Sequence, residues 1–311
     1  MYHPHTGLPA RLPSSWLPFW ASFALSMESE GSKPRTLISY RDSASMFSRW
    51  LEDHGAAPPL AAVTRQDVDG FLAHVHATRK PATANMRFRG LKRLFGWLAA
   101  EEEIPANPMA NIKPPRFKLA PPKPLTEADV LRLLATCKGT GFEERRDAAI
   151  INLLVDTGLR RGELENLKLA DVDLYKSRTA QVDGKSGPRF IPLGSKTAAV
   201  MDRYFRARSL HPAAAREPWL WLGKKGRLTG DGVRQMIERR AAQAGLQGVF
   251  VHLFRHTFAH MWLAGGGGEG NLMKIAGWES HTMVLRYGAG AAAERALASH
   301  AEFSPRDRMK G

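Results

Sequence analysis

A single cysteine, Cys137, stands among 311 residues, which excludes an intramolecular disulfide and any cysteine-rich metal site. It fits a reducing compartment, so the cytoplasm is the expected location. Acidic residues are also scarce: 30 aspartates and glutamates face 45 lysines and arginines, a formal charge of +15. That field favours a polyanionic partner, either nucleic acid or an anionic membrane surface. Long apolar runs are missing. The uncharged stretch from Leu12 to Met27 follows Arg11 as a secretion signal would, but Pro18, Ser22 and Ser26 interrupt it, and it falls short of the roughly 18 apolar residues of a membrane span. An amphipathic helix opening a first domain is the better reading, and no membrane partner is expected. Also absent are strands alternating with crossover helices and a Gly-rich phosphate fingerprint. The Gly265–Gly268 run has no strand before it, which disfavours a nucleotide-binding α/β fold. No carboxylate cluster suits Mg²⁺, so neither a metal nor another cofactor is expected.

What is present supports a globular chain. Hydrophobic residues make up 43% and charged residues 24%, enough to bury a core, and single cores stop growing at about 250–300 residues, so two domains are expected. Between Ile104 and Leu125 stand seven prolines, which remove backbone donors and disfavour helix before each one. The boundaries therefore read as an N-terminal tail (1–14), a helical domain (15–106), an extended, basic, Pro-rich linker (107–124) and a second domain (125–311), with a tail at 288–311. The expected class is mainly α with a small β-sheet (α+β).

In the first domain Leu37, Tyr40, Ala44, Phe47, Trp50 and Leu51 recur at helical spacing, and Thr64 with Asp67 three residues on reads as an N-terminal cap. A helix from about Ala82 to Ala100 has an apolar stripe of Leu91, Leu94, Phe95 and Leu98. Arg87, Arg89, Lys92 and Arg93 crowd the rest of its surface with no compensating acid, either as an ordinary solvated face or as phosphate contacts. The linker lysines Lys113, Lys118 and Lys123 extend the same expectation. In the second domain Thr126 and Asp129 open a helix, another runs from Arg145 to Val155 and stops at Asp156-Thr157-Gly158, and a third begins near Gly162. Thr179–Val182 and Phe190–Leu193 read as two strands of a hairpin around Asp183-Gly184-Lys185-Ser186-Gly187. Trp219–Leu222 is a further short strand.

The chemistry-bearing residues of that domain are Arg160 after a turn, Lys185 at a hairpin tip, His252 and Arg255 three apart, then Trp278 and Tyr287. Two planar guanidiniums match the non-bridging oxygens of a phosphodiester and can clamp it without a metal. A protein hydroxyl is then an alternative nucleophile to activated water. The motifs TGLRRGEL at Thr157–Leu164, GKSG at Gly184–Gly187, HLFRHTFA at His252–Ala259, and AGW followed by RY at Ala276–Tyr287 resemble, in this order, the tyrosine recombinase (phage integrase) family. The resemblance covers almost the whole chain and is of the simple two-domain type. From Trp262 to His300 it looks most like integrases of actinobacterial phages and mobile elements.

The resemblance implies a site-specific DNA recombinase that cleaves and rejoins strands through a 3′-phosphotyrosyl link. Tyr287 would be the nucleophile, Arg160 and Arg255 the phosphate clamp, His252 the proton acceptor or relay. Lys185 would protonate the leaving 5′ oxygen, although a solvated hairpin tip tolerates lysine equally. Trp278 can donate its indole N–H to a phosphate oxygen but cannot transfer a proton; pure packing is its other reading. Glu163 would orient the basic residues from a supporting position, and His256 reads as a core histidine. The implied partners are double-stranded DNA, held in a clamp of the two domains, and a homotetramer on two DNA sites, with an accessory directionality factor as a further partner. The tail 288–311 would dock either on its own domain or on a neighbouring subunit. About fourteen residues precede the first predicted helix, so no arm-site module is expected and short inverted sites should suffice. A type IB topoisomerase-like relaxing enzyme and a non-catalytic DNA-binding regulator of the same fold are the rival functions.

Overall fold

Caps and first-turn prolines set where the helices of the first unit begin. The structure, a computed structural model, describes residues 11–55, 57–114, 122–184, 187–285, 287, 296–297, 300 and 303–309. The linker's Lys118, the hairpin-tip Lys185 and most of the tail expected to dock lie outside the described residues. Two units separate, Met1–Leu119 and Ala120–Gly311.

The first unit contains α1 (Leu17–Ser29), α2 (Pro34–Asp53), α3 (Arg65–Thr78) and α4 (Pro81–Ala100). Pro34 and Pro81 occupy first helical positions, where a missing N–H costs nothing. Thr64 and Asp67 form the expected reciprocal cap on α3. The core joins the helices through aromatic rings: Phe47 of α2 lies 5.2 Å from Phe71 of α3 and 6.1 Å from Phe95 of α4. Trp16, just before α1, is buried and donates its indole N–H to the Pro58 carbonyl at 2.8 Å.

Two expectations for this unit are corrected. Arg87 is not on the solvated face of α4. It stands four residues before Leu91 and seven before Leu94, on the buried stripe, where only 2% of it is exposed and its guanidinium faces Ser43 Oγ at 3.3 Å. Burial, the leading cause, lowers its pKa, with Asp42 opposing. Arg93 does have a compensating acid, Glu30. Only Arg89 and Lys92 of that group are exposed. The second correction concerns the linker, whose first residues are not extended. Met109 is fully buried and Ile112 packs against the core of the first unit, because apolar side chains between the prolines gain more by burial than by solvation. Lys113 and Lys123 are exposed.

The second unit is organised around α6 (Phe142–Thr157), which packs against α8 (Ser195–Ser209) and α10 (Val251–Ala264). Its other helices are α5 (Glu127–Ala135), α7 (Arg161–Glu165), α9 (Gly230–Gln243) and α11 (Glu269–Ala276). Thr126 and Asp129 cap α5 reciprocally. Helix α6 starts at Phe142, three residues before the predicted Arg145, because Gly141 rather than the charged run ends the preceding loop. A three-stranded antiparallel sheet runs in the order β1 (Val172–Asp173), β2 (Thr179–Gly184), β3 (Gly187–Pro192). The predicted hairpin is longer than read and pairs as far as Gly184 with Gly187. Trp219 is not in a strand: it makes one isolated bridge to Lys168, and the short hairpin is β4 (Leu222–Gly223) with β5 (Gly226–Arg227). Tyr204 of α8 stacks on Trp221 at 5.2 Å and donates to the Leu220 carbonyl at 2.9 Å; burial first of all pushes its pKa up to about 12.

Candidate active site

Three helix ends converge to build the site. Helix α6 stops at Gly158 in the left-handed conformation, φ 60°, so the chain turns back and Arg160 becomes the N-cap of α7. A Cβ on Gly158 would also lie 2.5 Å from the Phe258 ring. Helix α11 stops in the same way at Gly277, φ 63°, and there a Cβ would meet the Arg189 guanidinium at 3.0 Å. The first turns of α10 place His252, Arg255 and His256 at i, i+3 and i+4, on one face.

Backbone carbonyls hold the arginines in place. Arg255, 1% exposed, donates Nη1 to the Gly158 carbonyl at 2.9 Å and Nη2 to the Ala276 carbonyl at 2.6 Å. Arg160 donates Nη2 to the Gly277 carbonyl at 3.0 Å and Nη1 to Glu163 Oε1 at 2.7 Å, and its backbone N–H donates to Glu163 Oε2 at 2.9 Å. The pKa of Arg255 falls to about 10, through burial first and then the Arg160 charge, so the group stays cationic at neutral pH. Glu163 is itself buried. Burial alone would raise its pKa, but hydrogen bonds from Arg189 and then from Arg160 outweigh that, and the net shift is downward.

Tyr287 is packed between two rings and reaches a third. Its ring stacks on Trp278 at 4.8 Å with planes 20° apart and lies 4.1 Å from His256. Its hydroxyl is 2.7 Å from Nε2 of the exposed His252. Arg255 sits over the other side of the cluster, its Cζ 5.0 Å from the Trp278 ring. Trp278 is 6% exposed, and its indole N–H is buried with no acceptor among the described residues, as are those of Trp50, Trp97 and Trp221.

Six predicted residues, Arg160, Glu163, His252, Arg255, Trp278 and Tyr287, are therefore brought into one cluster. Lys185, outside the described residues, lies between Gly184 and Gly187, whose pairing closes the hairpin next to it. His256 is buried as a core histidine would be, yet it lines the tyrosine rather than the general core. Arg189 was missed. Its Nη1 and Nη2 donate to the two Glu163 oxygens at 2.9 Å each, and its Nε donates to the Ile275 carbonyl at 2.9 Å. The available signal is the strand period: Arg189 shares a face with Ile191, which is fully buried, while Phe190 between them is 68% exposed. Among the described residues no group of three or more His, Cys, Asp or Glu could hold a metal ion.

Chemically, the cluster offers guanidinium forks and an indole N–H around a phenol that is hydrogen-bonded to an imidazole. That arrangement can bind a phosphate oxyanion, take a proton from the phenol and present the phenol oxygen as a nucleophile. Comparison with known proteins points the same way. Residues 123–294 match the Phage integrase family, and residues 19–104 match the Phage integrase, N-terminal SAM-like domain. Tyrosine recombinase XerC of Myxococcus xanthus is 27% identical over 282 residues, covering 88% of this chain and 93% of its own. Among solved structures, XerH site-specific recombinase bound to palindromic difH substrate in a post-cleavage complex superposes with a TM-score of 0.72 at 19% identity, over 90% of this chain and 84% of that one. A lambda integrase tetramer bound to a Holliday junction gives 0.68 at 18% identity, over 87% and 76%.

Proposed function

The chain belongs to the phage integrase family, and we propose that it is a site-specific DNA recombinase that cleaves and rejoins strands through a tyrosyl–phosphate ester. The observation that carries this reading is the Tyr287 hydroxyl, hydrogen-bonded to His252 in one cluster with two arginines held by backbone carbonyls. Tyr287 Oη attacks the scissile phosphorus, its proton passes to His252 Nε2, and the bond from phosphorus to the 5′ oxygen breaks. Lys185 protonates that leaving oxygen. Arg160, Arg255 and the Trp278 N–H hold the non-bridging oxygens, where charge accumulates in the transition state. The ester keeps the bond energy, so the 5′-hydroxyl of another strand can reverse the attack and rejoin the backbone without a nucleotide or a metal.

Exchange between two duplexes breaks four strands, so four copies of this site, a homotetramer on two DNA sites, complete the reaction. Phosphate contacts come from both units: Arg89, Lys92, Lys113 and Lys123 are the exposed cations of the first unit and the linker that fit this role. No helix among the described residues is long and apolar enough to cross a membrane, and the cytoplasm, where chromosomal DNA lies, is the proposed location. Whether an accessory factor sets the direction of exchange belongs to the same proposal.

The test uses DNA chosen by the protein itself. Duplexes enriched by the full chain from a random pool are rebuilt with a nick beside the cut position, so that cleavage traps the intermediate. The expected result is a covalent protein–DNA adduct on the nicked duplex and recombinant product from two intact ones. Relaxation of any supercoiled plasmid without strand exchange would favour the topoisomerase reading, and binding with neither product would favour a regulator.

A further inference from the structure

Three guanidiniums and one carboxylate meet in the site, and the third guanidinium has no part in the mechanism above. Arg189 is 14% exposed at its side chain, and its three hydrogen bonds among the described residues go to Glu163 and the Ile275 carbonyl. Glu163 in turn holds Arg160 from below. A buried carboxylate left with one cationic partner would bind that partner tightly, because the alternative is an uncompensated charge away from water. In that case Arg160 could turn N–H groups to a phosphate only at the expense of Glu163.

Resting on the recombinase reading, we propose that Arg189 is a positioning residue for strand cleavage: it shares the Glu163 carboxylate so that Arg160 is free to engage the scissile phosphate. Charge supports this. Arg160, Arg189 and Arg255 against Glu163 leave two net positive charges among the described residues. A phosphodiester anion attacked by a phenolate carries two negative charges in its transition state, and those two positive charges offset them alongside the proton taken up by His252 and the Lys185 ammonium. Without Arg189 the net charge from the arginines and Glu163 would be half as large. Geometry supports it as well: a Cβ on Gly184 would lie 2.8 Å from both Arg189 Nη1 and Glu163 Oε1. The same Arg189–Glu163 fork therefore fixes the end of the hairpin next to Lys185 against α7. Among the hydrogen bonds that hold the Glu163 pKa down, those from Arg189 are the largest.

The experiment compares single-turnover adduct formation and equilibrium DNA binding for wild type, Arg189→Met, Glu163→Gln and the double variant. Arg189→Met should slow adduct formation about a hundredfold while DNA affinity changes less than about threefold, since its donors are spent on Glu163 and the Ile275 carbonyl. The double variant should then regain about tenfold over Arg189→Met, because the carboxylate that captures Arg160 is gone. A purely structural staple would predict no such rescue, so a double variant no faster than Arg189→Met overturns the inference. Wild-type cleavage by Arg189→Met overturns it too. Where the methionine variant does not fold, Arg189→Lys carries the same comparison, since it keeps the charge but cannot span both oxygens. Absence of any adduct from the wild-type chain would instead sink the recombinase reading, which separates the two failures.

Discussion

The second unit contains two buried carboxylates ringed by arginines, and they differ in how completely they are closed. Asp147 is fully buried and meets Arg146 at 2.7 Å, Arg240 at 2.8 Å and Arg239 at 3.1 Å. Two arginines of that ring are buried and spend further donors inside the protein, Arg146 on the Leu222 carbonyl and Arg240 on the Thr136 carbonyl, while the third, Arg239, is 47% exposed at its side chain. The ring of Glu163 is left open. Arg160 keeps 32% of its side chain exposed, and a tyrosine, an unpaired indole N–H and an exposed histidine stand beside it. Residue type does not separate a structural ion cluster from a reactive one. Their neighbours do: only the Glu163 ring has a phenol hydrogen-bonded to an imidazole beside it.

The sharpest break between the clusters is at Tyr287. Tyr287→Phe should abolish the covalent adduct on a nicked site while leaving DNA binding near wild type and stability within about 1.5 kcal/mol, the cost of one hydrogen bond to His252. An adduct formed by that variant would remove the nucleophile from the open cluster. Next in size, Arg160→Lys should lower the single-turnover rate by about 10²- to 10³-fold with a small change in melting temperature, because one ammonium cannot serve Glu163, the Gly277 carbonyl and a phosphate together. Asp147→Asn should do the reverse, costing about 3–5 kcal/mol in chemical unfolding, since it leaves Arg146 and Arg240 buried without an anion. The rate per folded molecule should be unchanged. If these two variants shifted the same readout, the division between closed and open cluster would fail.

Smaller effects refine the picture. Trp278→Phe keeps the stack on Tyr287 and removes only the N–H, so cleavage should slow about tenfold at unchanged affinity. An unchanged rate would leave Trp278 as packing alone. The smallest effect is a pH dependence. The pKa of Glu163 is lower when folded than its ordinary 4.5, so its contribution to stability is complete above that value and is lost as pH falls below it toward the folded pKa. Unfolding midpoints measured through the acid range should therefore decline more steeply for wild type than for Glu163→Gln.

Local signals made much of the fold legible. Thr64 with Asp67 and Thr126 with Asp129 cap helices where the spacing predicts them, and Gly158 ends α6. His252 and Arg255 were readable as one helix face, and Arg160 as the residue after a turn. What escaped depended on partners distant in sequence. Arg87 and Arg93 look alike in the string, yet one lies on a buried stripe and the other beside Glu30, 63 positions away. Arg189 meets its acceptor 26 positions away, and one inward-facing basic residue on a short strand carries little signal by itself. Strand β1 has two residues, too few for alternation to register. The Asp147 cluster spans 93 positions and reads locally as ordinary helix-surface charge.

The carbonyl anchors of Gly158, Ile275, Ala276 and Gly277 have a genetic consequence. A missense change at Ile275 or Ala276 alters packing but cannot delete the oxygen that Arg189 or Arg255 uses. At these two positions the anchoring oxygen is present whichever amino acid is encoded, although the fully buried Ala276 leaves room only for small side chains. Frame-preserving insertions or deletions are different. One codon gained or lost between 275 and 278 rotates the acceptors away from three guanidiniums at once, so Ile275 should tolerate substitution in a mutant library while the segment rejects changes in length.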